Sequence, residues 1–375
     1  MDVCGHTPMM ETECCSVKEF LKRKNIVFSA KRYGIDALGA MAQGLFCSLL
    51  IGTIVKTLGQ QLNLPFLTQV GSYCSAMSGP AMAVAIGFAL QAPPLVLFSL
   101  TTVGYAANMF GSTTLSGSAG AGGPLAVLLI AIVACELGTA VSKETRIDIL
   151  VTPLVTILSG VALSAVAAPA IGTAASSIGE FVKWATVLQP FLMGMLVSVV
   201  IGMALTLPIS SAAICAALGL TGLAGGAAVA GCCAQMVGFA VLSFRENGWG
   251  GLISQGLGTS MLQMGNIVRN PKTWILATLA SAVTGPVATC LFHFEMNDPA
   301  GGVASGMGTC GMVGPIGVYA GWVNDVAQGV KTAITGMDWL AMALICFILP
   351  AVLTCLFGAI CRRLGWIREG NLKLN

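Results

Sequence analysis

Ionisable and amide side chains inside apolar segments are costly in a membrane and mark sites by default. Glu136 lies in Ala-Cys-Glu-Leu-Gly, within an apolar run, and Glu144 lies in a charged loop with Lys143 and Arg146 beside it. Glu295 lies in His293-Phe-Glu-Met-Asn-Asp298 after another apolar run, next to Asn297. A carboxylate with neighbouring amides can take a sugar's hydroxyls bidentately. Asn108, Gln235, Gln255, Gln263 and Asn266 are uncharged amides suited to a polar solute. Each has a competing use. Glu136 could be a carboxylate one turn from water and Lys143, Glu295 an interfacial loop acid, and the amides helix-to-helix hydrogen bonds. No phosphate loop, GxSxG or HExxH occurs, so no catalytic residue is assigned. His6 precedes the first apolar run in a segment too short for a phosphoryl-carrying domain. Cys47, Cys135, Cys215, Cys290, Cys346 and Cys355 sit in apolar runs and read as packing residues. With His6 and His293 the only histidines, neither a metal site nor a cofactor is expected.

These residues need elements to hold them, and composition restricts which. The chain has 375 residues, 56% hydrophobic and 9% charged, against about 25% charged in soluble domains. So few charges cannot cover a water-facing surface. Forty-seven glycines suit helices that approach closely in a bilayer. The net charge of +3 is too small to suggest nucleic acid, and no such partner is expected. The expected fold is an all-α polytopic membrane protein of about ten transmembrane helices. The runs are Ile35 to Val55, Ser72 to Leu90, Pro94 to Phe110, Pro124 to Val141, Ile149 to Ile171 and Trp184 to Leu207. Two more divide Pro208 to Leu242 near Gly222–Gly226, followed by Trp274 to Phe292 and Trp339 to Cys361. Residues 1–34 read as a cytosolic tail, with Phe20 and Leu21 among Lys18, Lys22, Arg23 and Lys24 as a surface-helix alternative. Residues 35–361 form the transmembrane domain, with halves at 35–180 and 184–361, and residues 362–375 form a second cytosolic tail. Basic residues flank the first and last runs, which places both termini in the cytoplasm and requires an even span number.

Two stretches fit no simple span. Trp249 to Asn270 is rich in Gln, Ser, Thr and Gly, and Asp298 to Gly321 holds eight glycines from Gly301 onward. Irregular backbone survives at membrane depth only against protein or a water-filled cavity. Both are therefore re-entrant hairpins lining a path, or else surface loops. A self-similarity links Ser48–Gly52 with Ser198–Gly202 and Ile86–Leu90 with Val237–Val241. With five spans per half, such a repeat is inverted, as in alternating-access transporters.

Longer motifs carry a resemblance. Ser142-Lys-Glu-Thr-Arg-Ile-Asp-Ile-Leu-Val-Thr-Pro153, Leu188-Gln-Pro-Phe-Leu-Met-Gly194, Thr206-Leu-Pro-Ile-Ser-Ser-Ala-Ala213, Gly231-Cys-Cys-Ala-Gln-Met-Val-Gly-Phe-Ala240, Phe244-Arg-Glu-Asn247, Gln255-Gly-Leu-Gly-Thr-Ser-Met-Leu-Gln-Met264 and Asn266-Ile-Val-Arg-Asn-Pro271 resemble stand-alone membrane IIC subunits of the sugar phosphotransferase system. That family includes the perfringolysin regulator-like proteins. The resemblance implies a sugar-type permease of the bacterial cytoplasmic membrane, a homodimer in the lipid bilayer, with phosphoryl groups supplied by separate IIA and IIB proteins. In better-known IIC subunits a glutamate and a histidine near re-entrant loops hold the sugar. Glu295 and His293 are the only such pair here, although the residues around them depart from those motifs. The expected function is translocation of a sugar or similar small polar solute. The alternatives are a membrane-embedded sensor that regulates genes through a partner, and a secondary carrier independent of phosphotransfer.

Overall fold

A computed structural model describes residues 19–117, 121–297 and 302–374. Of the described residues 78% are helical, and none lies in a strand. One backbone bridge, Gly222 to Met296, stands outside the helices. A helix satisfies its own backbone, which an apolar chain in lipid requires.

The elements in order are α1 (Arg32–Gln60), α2 (Pro65–Ala76), α3 (Ser78–Ala89), α4 (Pro94–Gly111), α5 (Gly123–Val141) and α6 (Asp148–Ala185). The second part has α7 (Pro190–Thr206), α8 (Ser211–Ala217), α9 (Gly222–Leu242), α10 (Phe244–Ile253), α11 (Met264–Arg269), α12 (Lys272–Leu291), α13 (Val313–Ala327) and α14 (Gly336–Arg363). Proline within the first turn starts α2, α4, α5 and α7, where its missing N–H costs nothing. Six segments are long and apolar enough to cross a membrane: α1, α5, residues 148–178 of α6, α9, α12 and α14. The apolar α3 and α7 are shorter.

The expected span boundaries are met closely at α4, α5, α12 and α14. Elsewhere the chain differs. The second expected span is two helices with a break at Met77. The fifth runs on to Ala185, straight through Pro153 and Pro169, so the expected boundary between halves falls inside a helix. The expected seventh span, from Pro208, is the seven-residue α8. At 1.5 Å per residue α8 reaches about 10 Å, a third of a hydrocarbon core of about 30 Å.

In the first part α4 packs on α3, α5 and α6. In the second part α9 packs on α7, α12 and α14 and is buried on almost every side. Glycines set this second joint. A methyl group on Gly231 would lie 1.9 Å from the Ser198 carbonyl oxygen, and one on Gly285 would lie 2.1 Å from that of Gly194. Ser198 Oγ donates to Ser281 O at 2.7 Å across the same crossing.

The described parts of both tails meet one end of the bundle, here called the tail end. Lys24 bonds Ser142 O and pairs with Glu144, as does Arg23 at 2.8 Å. The hydrogen bond from Lys24, helped by Arg23, holds the Glu144 carboxyl below the usual carboxylate range. Its neighbours in sequence, Lys143 and Arg146, are not those partners. Residues 364–374 cover α11 at the same end. Three of the six cysteines read as packing residues, Cys47, Cys290 and Cys355, are exposed on the helix surface. In lipid such a surface is as apolar as a core, so the same residue type suits both.

Candidate functional site

Both polar stretches are built as broken segments, and neither is a surface loop. After α10 the chain makes a wide turn at Ser254–Gly258, becomes extended at Thr259, and tightens into one 3-10 turn at Ser260–Gln263 before α11. Gln255, Thr259, Ser260 and Gln263 are buried. The second segment has short turns at Ala304–Gly306 and Cys310–Met312. Gly302, Gly308 and Gly311 have φ of 88°, 54° and 53°, a region open to glycine at little cost. Gly308 also lies against Cys232 and Cys233 of α9, where a methyl group would come within 2.7 Å. Asp298 to Gly301 lie outside the described residues.

The two segments meet. Thr309 Oγ1 donates to Gly256 O. Ser211, at the start of α8, donates to Gly306 O at 2.7 Å. Thr206, at the end of α7, shares a 2.8 Å hydrogen bond with Ser260. Gly258 packs on the Phe46 ring of α1. Four backbone interruptions (206–211, 256–260, 306–310 and a widened turn at Phe46–Leu50) therefore converge on α9.

Gln235 of α9 sits under that convergence and is fully buried. Its Oε1 accepts from Trp274 Nε1 at 3.2 Å and Thr206 Oγ1 at 3.3 Å. Its Nε2 faces Thr278 Oγ1 at 3.4 Å and Ser281 Oγ at 3.5 Å. These bonds are long. The cluster holds hydroxyls and an amide but no charge, a set that binds neutral hydroxylated groups by exchanging one hydrogen bond for another.

The other sequence-derived candidates separate into four places. Gln255, Gln263 and Asn266 form one amide row toward the tail end: Gln263 Nε2 donates to Gln255 Oε1 at 2.9 Å and Asn266 Nδ2 to Gln263 Oε1 at 2.8 Å. Asn108 packs near Ser78, at 3.4 Å, in a helix crossing of the first part. Glu136 faces Arg32 at 3.4 Å and accepts from Tyr33 OH at 2.8 Å. Its second oxygen and the Arg32 Nε are buried without a partner among the described residues. Glu295, His293 and Asn297 lie at the end of the bundle opposite the tails. Glu295 and His293 are exposed there, on the wall of a cavity of about 180 Å3 with Trp322, Asp325, Lys331 and Asp338. Asn297 Nδ2 donates to Asp325 at 2.9 Å and approaches Glu295 at 3.4 Å, while its Oδ1 accepts from Gly222 N at 3.1 Å. Lys331 pairs with Asp338 at 2.6 Å.

The sequence pattern of the family described as phosphotransferase system, EIIC, matches residues 35–374. The chain belongs to that family. This EIIC subunit is thus a multi-pass membrane component of a phosphotransferase system. No curated protein and no solved structure matches it.

Sequence reasoning about the EIIC subunit missed Thr206, Thr309, Trp322 and Asp325. A hydroxyl in an apolar helix ordinarily bonds its own backbone, as Thr206 does to Gly202 O at 3.4 Å. Nothing in the local sequence therefore sets the converging hydroxyls apart. Arg32 as the partner of Glu136 was hidden for another reason, since it lies on a different helix.

Proposed function

We propose that this EIIC subunit carries a sugar or similar small polar solute across the bacterial cytoplasmic membrane, with phosphoryl transfer supplied by separate IIA and IIB proteins at the tail end. The observation that carries the reading is the meeting of two broken, buried segments on α9, where Ser260 bonds Thr206 beside Gln235 and Gly308 lies against Cys232. Broken backbone at membrane depth is the usual frame of a transporter site. In this reading Thr206, Gln235 and Ser260 contact the solute at mid-path. Glu295, His293 and Asn297 form the mouth on the far side, where Trp322 offers an apolar face to a sugar ring. Gln255, Gln263 and Asn266 line the tail-end exit. Asn108 and Glu136 hold helices together and take no part in binding.

The six long spans, the α2–α3 pair and α4 make eight crossings, with α7–α8, residues 244–269 and residues 302–327 as re-entrant hairpins. This replaces the expected ten and preserves the even number. The arginines and lysines at 23, 24, 143, 146, 245, 362 and 363 then lie on the cytoplasmic side. The subunit works as a homodimer in lipid.

The test is a thermal-shift screen of the purified protein against sugars, followed by uptake into vesicles with phosphoenolpyruvate and the soluble phosphocarriers. A ligand that binds the native state raises its apparent stability. Uptake of the stabilising sugar that needs the phosphoryl donor supports the reading. Uptake without it identifies a secondary carrier instead, and no uptake of any stabilising ligand identifies a sensor.

A further inference from the structure

The last described residues do not trail into solvent. From Trp366 to Leu374 the backbone lies along the amide row of the first hairpin. Leu372 O accepts from Asn247 Nδ2 at 2.8 Å and from Gln263 Nε2 at 3.0 Å. Lys373 O accepts from Asn266 Nδ2 at 2.9 Å. Leu372 N donates to Glu246 Oε2 at 2.9 Å, and Leu374 N to Asn247 Oδ1 at 2.8 Å. Asn270 Nδ2 reaches Trp366 O at 3.1 Å. The Leu372 side chain is fully buried and packs in the cluster that includes Met261, Met264 and Ile267.

Each of these hydrogen-bond partners comes from residues 246–270, the hairpin whose tip reaches Ser260 and Gly256. The tail therefore occupies the donors that face the tail end. A main-chain carbonyl is a modest acceptor, and a hydroxyl or water can take its place at each amide. The hold on the tail is small in area. Leu372 and Ile367 are its two buried apolar anchors, while Arg368, Glu369 and Lys373 are solvated or half-solvated. Next to the tail lies a cavity of about 220 Å3 bounded by Gly39, Gln43, Ser254, Asn266, Lys373 and Leu374. The tail is one wall of that cavity.

We propose that residues 364–374 are a strap that closes the tail-end mouth of the path, and that the path opens on that side only when Leu372 leaves its pocket. A phosphocarrier or other partner binding the strap would then regulate opening. The inference rests on the permease reading above.

The experiment uses native thiols. Cys310 is buried at the tip of the second hairpin, and Cys346 is buried in a separate cluster with Trp322 and Phe294. A water-soluble maleimide is applied to the purified protein, and labelling is read at each cysteine by peptide mass spectrometry. The parent is compared with a chain ending at residue 366 and with full-length Leu372→Asp. Cys310 should label about tenfold faster or more in both variants, as a local opening is made easier, with Cys346 unchanged. A synthetic peptide of residues 364–375 should restore protection to the shortened chain. Cys310 as slow in both variants as in the parent, with Cys346 still protected, overturns the strap. If a variant loses its fold, so that Cys346 labels too, hydrogen exchange on the intact chain decides. Exchange of the Leu372 and Leu374 amides by a local opening far easier than that of α9 supports the strap, and exchange only through global unfolding overturns it. Labelling reports opening whether or not anything is carried. Fast Cys310 labelling without uptake of any sugar would remove the permease reading and leave the strap standing.

Discussion

Gly231→Ala tests whether the α7–α9–α12 joint is held by backbone contact. The added methyl would lie 1.9 Å from the Ser198 carbonyl oxygen, where ordinary contact begins at 3.4 Å. The difference, 3.4 − 1.9 = 1.5 Å, must be met by moving a helix, because the obstructing atom belongs to backbone. Overpacking of this kind costs about 1–3 kcal/mol. Separation also stretches the Ser198 to Ser281 bond and the 3.2 Å bond from Ser281 Oγ to Gly231 O, at about 0.6 kcal/mol each in a membrane protein. Against this, alanine is the better helix former by about 1 kcal/mol. The net is a destabilisation of about 1–3 kcal/mol. Gly39→Ala is the control, since nothing lies within 4 Å of a methyl group there. Melting in detergent at one scan rate should place Gly231→Ala a few degrees below the parent and Gly39→Ala level with it or above. If Gly231→Ala melts with the parent, the close approach is not what holds these helices.

Three further outcomes are expected. Glu295→Gln should weaken binding of the stabilising sugar by about 1–3 kcal/mol with the melting temperature of the free protein unchanged, measured by titration calorimetry; full affinity in Glu295→Gln beside a loss in Glu136→Gln would put the site on the other carboxylate. Because the Glu144 carboxyl is held below its ordinary range by Lys24, its contribution to docking residues 19–26 is present above the unfolded-state value of about 4.3 and is lost as pH falls through the lower folded value. The protection of that segment against hydrogen exchange, relative to the intrinsic rate at each pH, should therefore be unchanged from pH 7 to 5 and fall only below about pH 4, while Glu144→Gln should lower it at pH 7. Cysteines placed at residues 2 and 375 should react from the same side of sealed vesicles, and opposite sides would refute an even number of crossings.

How much of this was legible in the sequence depended on the reach of each interaction. The long apolar runs declared α4 and α5 almost to the residue, because a span is a local property of some twenty residues. The failure at Pro208 is instructive: the run from Pro208 to Leu242 is apolar enough for two crossings, yet Ser210 accepts from Ala213 N and starts a helix of one or two turns. Hydropathy cannot see that the chain turns back. The stretch from Gln255 to Asn266 read as buried hairpin because it is polar without being charged. Its occupant was not readable, since Arg368, Glu369 and Lys373 give the tail the composition of a solvated segment, and only Ile367 and Leu372 go inside. The meeting of Thr206, Ser260 and Thr309 depends on four distant interruptions, none of which names another.

The enclosure of α9 has a consequence for how the protein is made. A helix with no side left for lipid has two of its covers, α12 and α14, still unsynthesised when it leaves the ribosome. At roughly 5–20 residues per second, the stretch from Leu242 to Arg363 takes on the order of ten seconds to appear. During that interval a glycine- and alanine-rich helix with Gln235 on its flank stands in the bilayer without its wrapping. Chains stalled or cut before α14 should therefore be the ones that membrane quality-control proteases find first.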